Sequence, residues 1–107
     1  MIDEMVPIYG TIKERAIMNK KHERTLGAIF KVPVQSNVVW KDCEKLLKYL
    51  GAEISEGEGS RMRIFLNNRR AVFHRPHPKK ETDKGALVSL RKFLENAGVK
   101  PKEKKQS

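Results

Sequence analysis

The sequence predicts a two-layer α+β domain in which a helix, three antiparallel strands and a second helix follow one another, with both helices covering one face of the sheet. Three observations carry this prediction. In residues 40–50, Trp40, Cys43, Leu46, Leu47 and Leu50 fall three or four positions apart, the period of a helix with one buried face. From residue 60 the period drops to two, with Met62, Ile64 and Leu66 alternating against Arg61, Arg63 and Phe65. Helical spacing then returns through Leu87, Leu90, Leu94 and Ala97.

Composition sets the outer limits. A chain of 107 residues fits one domain with a modest core. A formal charge of +10, 34% charged residues and a mean hydropathy of −0.63 exclude a membrane-spanning role and imply an anionic partner. The single cysteine, Cys43, leaves no internal disulfide and no cysteine-cluster zinc site, and its place in the helical apolar pattern makes it a small buried hydrophobe. With no continuous apolar stretch of the secretory type at the N-terminus, a cytoplasmic setting is expected.

In chain order, residues 1–37 read as an N-terminal extension. Residues 1–17 show no sustained period and carry Pro7 and Gly10, so they are expected to be loosely attached, with Met18 a second candidate start. Leu26, Ile29 and Phe30 recur at helical spacing, which predicts a short helix over 19–30 that ends before Pro33; it either packs on the domain or serves as an arm toward a partner. His22 on this helix is expected to face solvent. Residues 31–40 are β-branched and interrupted by Pro33, so an extended segment with a turn at Ser36 and Asn37 is expected. The helix over 40–50 stops at Gly51, and Trp40 and Tyr49 are assigned to its core side.

Residues 52–56 form the first strand, Gly57 and Gly59 a turn, and 60–66 the second strand. Asn67 and Asn68 tolerate positive φ and make a hairpin turn into a return strand over 70–75, with Ala71 and Phe73 on one face and Val72 and His74 on the other. Pro76 and Pro78 end that strand and hold His77 in an extended loop. Thr82 or Asp83 caps the last helix, Gly98 stops it, and residues 100–107 are a basic tail expected to be disordered. Residues 38–99 are thus the domain proper. The double-stranded-RNA-binding fold has this α-β-β-β-α order, although fold by itself does not assign function.

Charge is concentrated in the second half of this frame. Between Ser60 and Gly85, Arg61, Arg63, Arg69, Arg70, Arg75, Lys79, Lys80 and Lys84 meet only Glu81 and Asp83. Local excess of Arg and Lys is the footprint of phosphate contacts, so these residues with Ser60 are the candidate RNA-binding set. Gly57 and Gly59 do not form a nucleotide loop, because no Lys-Ser or Lys-Thr follows and no helix begins there. His74 and His77, three apart around a proline, lack metal-ligand spacing, and no metal or other cofactor is expected.

The residues now resemble a family, the HicA toxins of bacterial and archaeal toxin–antitoxin systems. The resemblance runs over 38–99. It rests on the helix end Lys45-Leu46-Leu47-Lys48-Tyr49-Leu50-Gly51, on Gly59-Ser60 opening the second strand, and on Pro76-His77. It continues in Lys80-Glu81, in Lys84-Gly85-Ala86-Leu87 and in the closing Leu94-Glu95-Asn96-Ala97-Gly98. It implies a double-stranded-RNA-binding-like fold, metal-independent cleavage of messenger RNA, and neutralisation by a HicB antitoxin that covers the active site, the type II arrangement. The protein is then expected as a monomer or as part of the toxin–antitoxin complex.

One departure falls where the chemistry is decided. Typical members carry histidine after the Gly-Ser pair, whereas this chain has Arg61. RNA cleavage without metal needs a group that takes the proton of the 2′-hydroxyl and one that protonates the leaving oxygen. Imidazole suits both near neutral pH, and a guanidinium, which stays protonated, cannot serve as base. Arginine still clamps phosphate and stabilises charge in the transition state. Three readings follow. His77 or His74 supplies acid–base function with Arg61 and Arg63 on the phosphate; or the fold binds RNA without cutting it; or the chain is an interaction module for an acidic antitoxin. Within the first, His77 is favoured over His74, since the surrounding cations lower its pKa by like-charge repulsion.

Overall fold

The computed structural model describes residues 19–76 and 79–101. Helix α1 spans Lys20–Ile29, α2 Trp40–Tyr49, strand β1 Glu53–Glu56, β2 Arg61–Leu66, β3 Arg69–His74, and α3 Lys84–Asn96. The strands form one antiparallel sheet in the order β1-β2-β3. Expectation and structure therefore agree on an α+β domain with the α-β-β-β-α order, preceded by a helix.

Local chemistry explains where each helix starts and stops. In α1, Asn19 Oδ1 accepts the His22 amide at 2.7 Å, and in α3 Asp83 Oδ1 accepts the Ala86 amide at 2.8 Å. Asp83 is thus the cap of α3, and Thr82 is buried instead, its amide bonded to the Val38 carbonyl at 2.7 Å. Helices α2 and α3 end at Gly51 and Gly98, whose φ angles of 99° and 84° lie in the left-handed region that a side chain disfavours. The hairpin turns on Asn67 and Asn68, both at positive φ (51° and 70°), as their short polar side chains permit. A two-residue turn makes Arg69 the first residue of the return strand, one earlier than the sequence pattern suggests.

The core forms on one face of the sheet. Met62, Ile64, Leu66 and Phe73 point to the same side and are buried with Trp40, Cys43, Leu46 and Leu47 of α2 and Leu87, Leu90, Phe93 and Leu94 of α3. Phe73 lies between two rings, 5.7 Å from Trp40 and 6.4 Å edge-on from Phe93. Burial pushes the Cys43 thiol up to about 12, so the group stays neutral and packs as a small hydrophobe.

Helix α1 joins this core through Leu26 and Ile29. That docking corrects the expectation for His22, which is half-buried with its ring 5.1 Å from Tyr49, while Lys21 reaches Asp42 at 3.4 Å. The segment before α2 forms no ladder beyond a single bridge, Val39 to Glu81, which ties the start of α2 to the approach to α3. No helix among the described residues is long and apolar enough to cross a membrane.

Candidate nucleic-acid interface

Because β2 buries Met62, Ile64 and Leu66, the two-residue period puts Arg61, Arg63 and Phe65 on the opposite, uncovered face. Register completes this face in three rows: Arg61 beside His74, Ser55–Arg63–Val72, and Glu53–Phe65–Arg70. Arg61, Arg63, Arg70 and His74 are all exposed.

Arg61 and His74 are the closest kind of cross-strand neighbours. The Arg75 amide donates to the Ser60 carbonyl at 2.9 Å, just beyond this pair, so Arg61 and His74 occupy a non-hydrogen-bonded position of the ladder. At such positions the Cα atoms are about 4.5 Å apart and the side chains lie side by side. The turn from β1 fixes the Arg61 backbone: the Gly57 amide donates to the Arg61 carbonyl at 2.8 Å and the Arg61 amide to the Glu58 carbonyl at 3.2 Å. Ser60, exposed, opens β2 beside this pair. A guanidinium and an imidazole thus share one solvent-facing spot, able to bind a phosphate and to exchange a proton with an adjacent hydroxyl.

The other predicted residues lie apart from this pair. Lys79 and Lys80 are exposed on the segment that leaves this end of the sheet, and the Lys80 carbonyl accepts the Trp40 amide at 3.0 Å. Lys84 is exposed at the first position of α3. Arg69 and Arg70 lie at the opposite end of the sheet, four residues along β2 or about 13 Å from Arg61. His77 and Pro78 fall outside the described residues. Among the described residues no group of three His, Cys, Asp or Glu side chains converges on a point where a metal ion would be held.

Arg75 stands apart from the exposed cations. Its Nε donates to Glu44 Oε2 of α2 at 2.8 Å, and its Nη1 and Nη2 donate to Glu56 Oε1 and Oε2 of β1 at 2.7 and 2.9 Å. These two carboxylates satisfy its charge within the protein and raise its pKa still further, while its hydrogen bonds hold Glu56 below the usual carboxylate range. Directly after β3, Arg75 ties that point of the chain to α2 and to β1. Glu56 is fully exposed and Glu44 is half-buried, so the energetic weight falls on Glu44.

Arg75→Met is expected to lower stability by about 1–2 kcal/mol at neutral pH, read from the urea midpoint. Because the folded pKa of Glu56 is depressed, its share is present in full above the usual value of 4.5 and disappears as pH falls through the lower folded value. The Glu56 share of the gap between variant and wild type should therefore persist at pH 5 and be lost only in stronger acid. A gap that closes between pH 7 and pH 5 would rule this coupling out.

The sequence pattern named Arg69 and Arg70 at the far end of the sheet but not the groove they help to line. There an open groove of about 480 Å³ is lined by Phe65, Asn68, Arg69, Arg70, Phe93 and Asn96. The Arg70 guanidinium lies 5.4 Å from the centroid of the Phe65 ring. Phe65 carries a signal visible in the sequence, since it is an aromatic residue on the polar side of an otherwise clean alternation.

A family profile described as the HicA toxin of bacterial toxin–antitoxin systems matches residues 40–100, more than half of the chain. Searches of curated proteins and of solved structures find no match. The matched span runs from the first residue of α2 to just past α3 and includes the whole sheet, the Arg61–His74 pair and the groove; α1 precedes it. Residue order, fold and family profile coincide over this span, and the chain belongs to the HicA toxin family.

Proposed function

We propose that this protein is the toxin of a type II toxin–antitoxin pair, that it binds messenger RNA on the open sheet face, and that it cleaves the RNA without a metal ion. The observation that carries the reading is the Arg61–His74 pair, which places a permanent cation and a titratable imidazole side by side on the exposed end of β2 and β3. In such a site Arg61 binds the scissile phosphate and His74 takes the proton of the neighbouring 2′-hydroxyl. The 2′-oxygen forms a bond to phosphorus as the bond to the 5′-oxygen breaks, leaving a 2′,3′-cyclic phosphate and a 5′-hydroxyl. We assign protonation of the leaving oxygen to His77, three residues past β3 in the chain. Arg63, Lys79, Lys80 and Lys84 supply further phosphate contacts, and Arg75 braces the end of β3. A HicB-type antitoxin covering this face would block all of these contacts at once.

A second reading is favoured by one observation: the position after Gly59-Ser60 holds an arginine, which cannot act as base, so the fold is also suited to binding RNA without cutting it. The two are separated by incubating purified protein with a long synthetic RNA in the presence of chelator. Discrete fragments ending in cyclic phosphate are expected from the wild type, and none from His74→Ala or His77→Ala. Intact RNA with a salt-dependent gel shift, retained in a chain ending at Lys100, would leave only the binding reading standing.

A further inference from the structure

We propose that the groove at the hairpin end of the sheet is a nucleotide subsite that takes one unpaired base of the RNA strand, with its phosphate, downstream or upstream of the cleaved bond. The inference rests on RNA being the ligand of the open face. Its own support is the lining: Phe65, Asn68, Arg69, Arg70, Phe93 and Asn96 surround about 480 Å³, inside the range of roughly 300–1,000 Å³ typical of small-ligand sites.

Each component matches a part of a nucleotide. Phe65 offers an aromatic surface on the open face, and the Arg70 guanidinium 5.4 Å from its centroid extends that surface with a cation. The Asn68 and Asn96 amides each present a donor and an acceptor, the pairing needed at a base edge. Arg69 is exposed, and no carboxylate pairs with it or with Arg70 among the described residues, so both guanidinium groups are available to phosphate. Asn67 is not part of this set: its Nδ2 is committed to the Ala97 carbonyl at 2.8 Å, which fixes the hairpin turn against the end of α3 and holds the groove's two walls together.

Position gives the subsite its meaning. It lies on the same sheet as the Arg61–His74 pair, about 13 Å away along β2, with Arg63 between them. A single strand laid along β2 would place one phosphate on Arg61, the next near Arg63, and a following base in the groove. A duplex does not offer an unstacked base to such a site, so the subsite selects single-stranded RNA.

The test is fluorescence anisotropy with labelled 2′-O-methyl oligouridines of about two, four and six nucleotides, which cannot be cleaved for want of a 2′-hydroxyl. Binding to the full chain is expected to strengthen by about tenfold or more between the shortest and the middle length, the gain of one stacked base. That step should vanish in Phe65→Leu, which keeps the charge and the apolar bulk, and in the exposed-site variant Arg70→Gln/Asn96→Ala. Arg61→Ala should weaken all lengths alike and keep the step. A smooth rise with length, or a step untouched by Phe65→Leu and by Arg70→Gln/Asn96→Ala, overturns the subsite while leaving RNA binding intact. A step without any cleavage of ordinary RNA keeps the subsite and removes the nuclease reading. Failure to bind at every length removes both.

Discussion

Arg61→Ala is expected to reduce RNA cleavage by roughly 10²–10³-fold in kcat/KM, the usual effect of removing one preorganised donor from a developing anionic centre. The size follows from position. Arg61 is exposed on the open face, no carboxylate pairs with it among the described residues, and its neighbour across the ladder is His74. A cation without an internal partner is free to spend its charge on the substrate, in contrast to Arg75, whose donors are occupied by Glu44 and Glu56.

Three accompanying readouts make the prediction specific. Thermal unfolding should change little, since surface substitutions of this kind stay within about 0.5 kcal/mol. The salt dependence of RNA affinity should become shallower by about one phosphate contact. Arg61→Lys should recover the salt slope but only part of the rate, because an ammonium lacks the two-pronged geometry that holds a phosphate in one orientation. If Arg61→Ala cleaves at the wild-type rate, the phosphate lies elsewhere and the pairing of Arg61 with His74 has no catalytic meaning.

The second large effect is on stability. Phe73→Ala is expected to cost about 3–5 kcal/mol, the range for truncating a buried aromatic ring. Phe73 is 6% exposed and lies between Trp40 on α2 and Phe93 on α3, so its ring joins both helices to β3. At roughly 4–8 °C per kcal/mol for a domain of this size, the melting temperature should fall by more than about 12 °C. Phe73→Leu, which refills most of the space, should lose far less. The residue also stands directly before His74, so the alanine variant should lose activity through a loosened β3 even where it remains folded. A melting temperature within a few degrees of wild type would show that the two helices do not depend on this ring for their seat on the sheet.

Much of this architecture follows from short-range pattern. The alternation through β2, the helical spacing in α2 and α3, the stops at Gly51 and Gly98 and the asparagine turn each involve residues fewer than about five apart, where side-chain direction is set by backbone period alone. The same rules put Arg61, Arg63 and His74 on one face and Phe73 on the other. Once the turn is two residues long, even the pairing of Arg61 with His74 follows by counting outward from Leu66 and Arg69. The basic excess after Ser60 was equally visible in the residue order.

Tertiary structure decided which of those cations are available. Arg75 looks like any other basic residue in the run, yet it is neutralised by carboxylates 31 and 19 positions away in the chain. Similar long-range meetings put the His22 ring on Tyr49, seat α1 in the shared core, and bring Asn96 of α3 beside Arg69 and Arg70 to line a groove. None of these has a local period to betray it, because each depends on how helices settle on the sheet and therefore on the sum of many weak contacts. By itself the sequence determined the family, the layers and the faces; the folded chain determined which charges are paired inside the protein and which are left exposed.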